Sequence, residues 1–189
     1  ILVSLYFKFL NVSSKNPLDP RRDRFIFSKG HASPALYAVL YEGGFLTQDD
    51  LERFAVNGGV FQQHPDKDLS KGIEVSSGSL GHGLSVGAGM ALAAKRDGEN
   101  HRVCVVISDG ELNEGSIWEA VLFSAQHKLN NLLLVVDYNK MQALGFTKDT
   151  LELDPLAAKF EAFGWGCHEV DGHNFPSIIK ALEQFPFEK

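Results

Sequence analysis

The sequence predicts an α/β protein with a mostly parallel, open sheet and helices on both faces. Two apolar runs, residues 103–107 and 132–136, have the composition of buried strands. The residues between them have helical periodicity, so the two runs and this helix form one strand–helix–strand unit with parallel strands. Asp109 and Asn139 follow the two runs. Both therefore lie at the carboxyl edge of the sheet, where open α/β folds bind ligands.

The remaining elements follow from local signals along the chain. Residues 24–28 and 165–170 are predicted as further strands. Three helix starts have cap signatures, namely Ser33 with Pro34, Thr47 with Asp50, and Ser116 with Glu119. The predicted helices are 33–41, 47–56, 84–94, 116–127, 155–163 and 176–184.

Composition bounds the kind of protein. The chain has 189 residues, 44% of them hydrophobic, and a net charge of −6, which suits one globular domain with a real core. The absence of a basic block argues against nucleic acid and anionic membranes as partners. Residues 1–10 are too short to span a bilayer, and we do not expect them to form a signal peptide. We expect residues 1–189 to be one domain that is incomplete at both ends.

The two cysteines indicate a reducing compartment. Cys104 and Cys167 lie in apolar runs, and their spacing suggests neither a disulfide framework nor a metal site. A cytoplasmic location is therefore the expectation. The acidic balance has a second consequence, because an anionic ligand would need a metal ion to screen it.

A glycine-rich segment precedes the helix at 84–94. Gly78, Gly81 and Gly83 give a backbone that can approach a flat or anionic ligand closely. Within the helix, Gly83, Gly87 and Ala91 recur every four residues, a spacing that lets another helix pack closely and suggests a buried helix or a subunit contact. The segment is neither the dinucleotide-binding fingerprint nor a phosphate-binding loop with its lysine.

The polar residues at the carboxyl edge suggest a metal site. The Asp109 carboxylate and the Asn139 amide oxygen are hard ligands of the kind that Mg²⁺ and Ca²⁺ prefer. The alternative is an ordinary Asp-Gly turn and a loop asparagine. Two isolated loop histidines, His31 and His64, carry no specific signal by themselves, and a surface, capping or loop role is the expectation for each taken alone.

Four motifs in order identify a family. The segments are Ser-Lys-Gly-His-Ala at 28–32, His-Pro at 64–65, Gly-Ser-Leu-Gly-His-Gly at 78–83 and Asp-Gly-Glu-Leu-Asn-Glu-Gly at 109–115, with Asn139 thirty residues after Asp109. The chain resembles transketolase, and most closely the N-terminal subunit of split, two-chain bacterial transketolases. The resemblance covers nearly the whole chain and implies the thiamine-diphosphate-binding fold.

The resemblance also implies roles for individual residues. Asp109, the Asn139 side chain and the Met141 carbonyl would bind Mg²⁺, for which Ca²⁺ could substitute. The thiamine diphosphate contacts would come from His31, Gly78, Ser79, Leu80, Gly110, Glu111 and Asn139, with Gly110 and Glu111 placing backbone near the diphosphate. His31 and His64 would face the sugar substrate and help to move protons. Many family members have proline where this chain has Ser79.

Two glutamates and a second chain complete what the resemblance implies. Glu114 and Glu119 match residues that link two active sites across the family's dimer, although a capping role explains Glu119 equally well. The pyrimidine-binding domain would belong to a C-terminal subunit, and two such pairs would form a heterotetramer. The implied reaction moves a two-carbon ketol unit from a ketose to an aldose. Alternatives are a 1-deoxyxylulose-5-phosphate synthase-like enzyme and a non-catalytic cofactor-binding homologue.

Overall fold

The computed structural model describes residues 1–187 and has a parallel three-stranded sheet at its centre. The strands are β1 (Arg24–Phe27), β2 (Val103–Ser108) and β3 (Leu132–Asp137), in the order β1-β2-β3. β2 pairs with both neighbours, and its register with β3 runs from Val103 beside Leu132 to Ser108 beside Asp137. The predicted parallel arrangement is confirmed.

Eight α-helices and a small hairpin surround this sheet among the described residues. The helices are α1 (Leu2–Ser4), α2 (Ser33–Glu42), α3 (Gln48–Glu52), α4 (Gly83–Asp97), α5 (Gly115–Gln126), α6 (Thr147–Thr150), α7 (Leu156–Ala162) and α8 (Phe175–Leu182). α1 continues as a π-helix, Leu5–Phe9. The hairpin pairs β4 (Met141–Gln142) with β5 (Gly145–Phe146). No helix within residues 1–187 is both long and apolar enough to cross a membrane.

The central strand β2 buries both of its faces, as the sequence predicts. Cys104 and Val106 of β2 point into one hydrophobic cluster, which includes residues of α2 and α8. Val105 and Ile107 point into a second cluster, formed with α4, α5 and α7. Because successive side chains of a strand face opposite sides, an all-apolar strand requires helices on both faces.

The small-residue face of α4 is buried, as predicted, and its two glycines contact the sheet rather than another helix. A Cβ atom added to Gly87 would lie 2.5 Å from Cγ2 of Val105, and one added to Gly83 would lie 2.4 Å from the Ser28 side chain. These glycines let the start of α4 approach the carboxyl ends of β1 and β2. The glycine loop, residues 78–83, is thereby held at the same edge of the sheet.

One of the three predicted caps is confirmed. The Thr47 hydroxyl accepts the Asp50 N–H at 3.2 Å, and the Asp50 carboxylate accepts the Thr47 N–H at 2.7 Å. α3, however, ends at Glu52 rather than near residue 56.

The other two predicted caps are wrong because each serine bonds a distant carbonyl. The Ser33 hydroxyl donates to the Gln63 carbonyl at 2.5 Å, and Ala32 is the N-cap of α2. The Ser116 hydroxyl donates to the Gly81 carbonyl at 3.0 Å. α5 begins after Glu114, without a side-chain cap. Both tertiary contacts anchor loops at the carboxyl edge.

The predicted strand at 165–170 is also wrong, since these residues form no ladder with β3. The Trp165 indole N–H donates to the Val121 carbonyl at 2.9 Å, and its ring packs edge-on against Phe160. These contacts tie the segment to α5 and α7. The helices predicted at 33–41, 84–94, 116–127, 155–163 and 176–184 match the structure to within three residues at each end.

Candidate active site

Asp109 connects the carboxyl ends of β2 and β3. Its side chain is 1% exposed. One carboxylate oxygen accepts the Gly110 N–H at 2.8 Å, and the other accepts the Lys140 N–H at 2.7 Å. The Asn139 side-chain oxygen accepts the Met141 N–H at 2.8 Å. The structure therefore brings Asp109 to the segment that carries Asn139 and Met141.

This arrangement suits a hard divalent cation. A carboxylate has about four lone-pair sites, and the Asp109 contacts use two of them. No lysine or arginine within residues 1–187 forms an ion pair with Asp109. A buried carboxylate without a counter-charge is costly, and a cation would remove that cost. The described residues contain no cluster of three or more His, Cys, Asp or Glu that could hold a metal. The segment beside Asp109 offers amide and carbonyl oxygens, which such a cation also accepts.

The glycine loop packs between the two histidine segments. Gly78 has φ +146°, and a Cβ there would lie 3.0 Å from the His64 ring. A Cβ on Gly30 would lie 2.9 Å from the Gly78 nitrogen. His31 follows Gly30 in a 3₁₀ helix, Gly30–Ala32, and both imidazoles are exposed. His31 and His64 therefore border the same loop.

Two side chains of α2 hold the His64 segment in place. The Ser33 hydroxyl donates to the Gln63 carbonyl, and the Tyr37 hydroxyl donates to the Gln62 carbonyl at 2.9 Å. Burial raises the pKa of Tyr37 to about 12, so its hydroxyl stays protonated and can donate this hydrogen bond. His64 is exposed but stands on a fixed backbone.

Comparison with known proteins places the chain in a family. A family model described as transketolase, thiamine diphosphate binding domain, matches residues 1–189. The chain belongs to the transketolase family. The resemblance inferred from the four motifs is thereby confirmed.

The relatives include both separate subunits and complete enzymes. Identity is 45% over 183 residues with an apulose-4-phosphate transketolase subunit of Actinobacillus succinogenes, covering 97% of this chain and 66% of that protein. It is 41% over 184 residues with a 6-deoxy-6-sulfo-D-fructose transketolase subunit of a Clostridium species, covering 97% of this chain and 67% of that protein. Human transketolase is 38% identical over 185 residues, covering 97% of this chain and 30% of the human protein. The chain thus spans about two thirds of the separate subunits and under a third of the single-chain enzyme.

Solved transketolases share the fold. The Campylobacter jejuni enzyme superposes with a TM-score of 0.89 at 33% identity, covering 97% of this chain and 30% of that one. The Leishmania mexicana enzyme gives a TM-score of 0.90 at 29% identity, covering 97% and 29%. The predicted α/β architecture is therefore that of the transketolases.

The side chain of Glu111 has a role that sequence reasoning missed. It is completely buried. One of its oxygens accepts the Ser28 hydroxyl at 2.5 Å and the Gly81 N–H at 3.1 Å, and the other accepts the Ser108 N–H at 3.3 Å. Only its backbone was expected near a diphosphate. Its position just after a buried strand and an Asp-Gly turn was the one available signal.

Lys29 is a second residue that the sequence did not single out. Its ammonium group contacts the Asp137 carboxylate at 2.6 Å and is almost fully buried. This ion pair joins the end of β1 to the end of β3. It fixes the backbone that leads into Gly30 and His31 on one side and into Asn139 on the other.

Glu114 and Glu119 differ in what the structure shows of them. Glu114 is exposed, precedes α5 and packs against Gly81, where an added Cβ would lie 2.7 Å from the Cβ of Glu114. Glu119 is exposed and makes no capping bond, because Ser116 bonds Gly81 instead. Capping therefore does not account for Glu119. Its expected place in a contact between protein chains stays a prediction.

Proposed function

We propose that this chain supplies the metal- and diphosphate-binding half of a thiamine diphosphate-dependent transketolase. The reaction transfers a two-carbon ketol unit from a ketose, or ketose phosphate, to an aldose. The supporting observation is the buried Asp109 carboxylate, without a described cationic partner, held against the segment of Asn139 and Met141. Residues 1–189 would form one diphosphate-binding domain of this enzyme.

The cation would be Mg²⁺, with Ca²⁺ able to replace it, bound by Asp109, the Asn139 amide oxygen and the Met141 carbonyl. The glycine loop favours an anionic ligand, because the described hydrogen bonds use the N–H of Gly81 but not those of Gly78, Ser79 and Leu80. We assign the cofactor contacts to His31, Gly78, Ser79, Leu80, Gly110, Glu111 and Asn139. When bound, thiamine diphosphate supplies an electron sink for breaking the carbon–carbon bond.

The two histidines would handle the sugar. Their exposed imidazoles stand on rigid backbone at the border of the glycine loop. An imidazole can donate and accept protons near neutral pH. We propose that His64 bonds substrate hydroxyls and that His31 lies between the cofactor and the substrate, so that both hold or move protons at the sugar oxygens.

The enzyme would need a second polypeptide part. Two relatives that the chain matches over about two thirds of their length are named as subunits, and we propose a C-terminal partner that carries the pyrimidine-binding domain. Two such pairs would assemble with Glu114 and Glu119 linking the active sites. The free thiols of Cys104 and Cys167 favour a reducing compartment such as the cytoplasm.

A ketol-transfer assay tests this function. The complete protein, with any co-purifying partner, is incubated with thiamine diphosphate, Mg²⁺ and an aldose acceptor. Three donors are tested: apulose 4-phosphate, 6-deoxy-6-sulfo-D-fructose and a common ketose phosphate. The first two appear in the names of two relatives of this chain. Transfer from any of them supports the proposal. Turnover of pyruvate alone would favour the deoxyxylulose-phosphate synthase alternative, and cofactor binding without any turnover would favour a non-catalytic homologue.

A further inference from the structure

We propose that Glu111 is a positioning residue whose buried carboxylate fixes the glycine loop against the Asp109 turn, residues 109–113. The inference rests on the proposed function, since it assigns to Glu111 the task of shaping the diphosphate site before the cofactor arrives. Glu111 itself would not contact the substrate through its side chain, which is completely buried.

Three separate segments donate hydrogen bonds to this one carboxylate. Ser28 comes from the end of β1, Gly81 from the glycine loop and Ser108 from the end of β2. Ser28 is 83 residues from Glu111 along the chain, and Gly81 is 30 residues away. Each segment adjoins residues assigned to the cofactor or the metal. Glu111 therefore joins the parts of the site that the chain order separates.

Ser28 extends the contact to the start of α4. Its hydroxyl oxygen accepts the Gly83 N–H at 3.2 Å while its proton is donated to Glu111. A side chain at Gly83 would collide with Ser28. The loop is thus held at Gly81 directly and at Gly83 through Ser28, with Gly81 at φ +85°. The Glu111 carboxylate therefore fixes the turn at residues 81–83 at both ends, directly at Gly81 and through Ser28 at Gly83.

The acceptor oxygens of Glu111 match these bonds. Both backbone donors can only donate, so a carboxylate, which only accepts, matches them. No lysine or arginine among residues 1–187 forms an ion pair with it. An apolar side chain of similar volume would stabilise the core more than a buried carboxylate held only by hydrogen bonds, because it avoids the desolvation cost. Its contacts are therefore best explained by loop positioning.

Three variants separate positioning from general stability. Glu111→Leu removes every acceptor at similar volume, and Ser28→Ala removes the link to Gly83. Glu111→Gln is the conservative variant, because its amide oxygen can still accept from Ser28 and Gly81. Glu74→Gln is the matched control, since Glu74 is also buried but pairs with Arg22 at the opposite end of the sheet.

The readouts are amide hydrogen exchange in the cofactor-free state and the dissociation constant for thiamine diphosphate with Mg²⁺. The complete protein is used, with any partner that co-purifies. For Glu111→Leu and Ser28→Ala we expect exchange at Gly81 and Gly83 to rise about tenfold beyond any change in global stability, and cofactor binding to weaken about tenfold or more. Glu111→Gln should stay within a few-fold of wild type, and Glu74→Gln should change neither readout.

Several outcomes decide the matter. If Glu111→Leu and Ser28→Ala lower global stability but leave local exchange and affinity unchanged, Glu111 is only a core residue and the proposal is wrong. If Glu111→Leu does not fold, Ser28→Ala decides by the same readouts. If the wild-type protein does not bind thiamine diphosphate, the proposed function fails, whereas the exchange data still show whether Glu111 fixes the loop.

Discussion

Replacing Asp109 with asparagine separates its two roles, as a structural acceptor and as a metal ligand. The amide oxygen can still accept from Gly110 or from Lys140, but the amide nitrogen then faces the other N–H. Losing one backbone bond at a site that is 1% exposed lowers the free energy of unfolding by about 1–3 kcal/mol. Removing an uncompensated buried charge offsets part of that loss. We therefore expect Asp109→Asn to fold.

In Asp109→Asn, the rise in melting temperature on adding cofactor and Mg²⁺ should change far more than the stability of the ligand-free protein. A cofactor present at a hundred times its dissociation constant stabilises the folded state by about 2.7 kcal/mol. For a chain of 189 residues this raises the melting temperature by about 5–10 °C. Of the three ligands proposed for the cation, Asp109 alone is anionic, so Asp109→Asn should show almost no shift with thiamine diphosphate and Mg²⁺. Scanning calorimetry with and without both ligands measures this.

A second buried aspartate provides the control. Asp23 is 3% exposed and pairs with Arg102 at 2.7 Å, away from the candidate site. Asp23→Asn should lower the melting temperature of the ligand-free protein but keep the wild-type ligand shift. If Asp109→Asn kept the same shift as wild type, the assignment of Asp109 to the metal would be refuted.

Three further perturbations test other parts of the account. Gly87→Ala places a methyl group 2.5 Å from Val105. It should lower the free energy of unfolding, measured by chemical denaturation, by about 1–3 kcal/mol and leave cofactor affinity unchanged. Undiminished stability would contradict the close contact of α4 with the sheet. His64→Ala should change the free energy of unfolding by less than about 0.5 kcal/mol but lower kcat by about 10²–10⁴, and full activity in the ketol-transfer assay would exclude His64 from proton transfer. Burial raises the pKa of the Cys104 thiol, so its alkylation should follow global unfolding; rapid labelling of the native protein, measured by mass spectrometry, would count against the buried position.

Periodic signals predicted the centre of the fold well. The apolar runs of β2 and β3 are continuous because helices cover both faces of the sheet, and such runs need no tertiary information to be recognised. The meeting of Asp109 with the segment after β3 follows from parallel topology alone. The Thr47 capping box was predictable because both of its partners lie within one helical turn.

Local sequence patterns could not predict the contacts between segments that are far apart along the chain. The serines at 33 and 116 have the right chemistry for helix caps, but each finds a carbonyl in a loop that only the folded chain brings near. Trp165 lies in a strand-like run, yet its indole bonds α5. Glu111 is the clearest case, since its partners Ser28 and Gly81 are far away in sequence.

Calorimetric titration of the wild-type protein with thiamine diphosphate tests the central claim most directly. The complete protein, with any co-purifying partner, is titrated in Mg²⁺, in Ca²⁺ and in a chelator. The account predicts saturable binding with one site per chain in either cation, and loss of binding in the chelator, because the buried Asp109 carboxylate needs a cation to accept an anionic cofactor. Equal affinity with and without a divalent cation would contradict the metal site, and no binding under any condition would contradict the assignment of the cofactor.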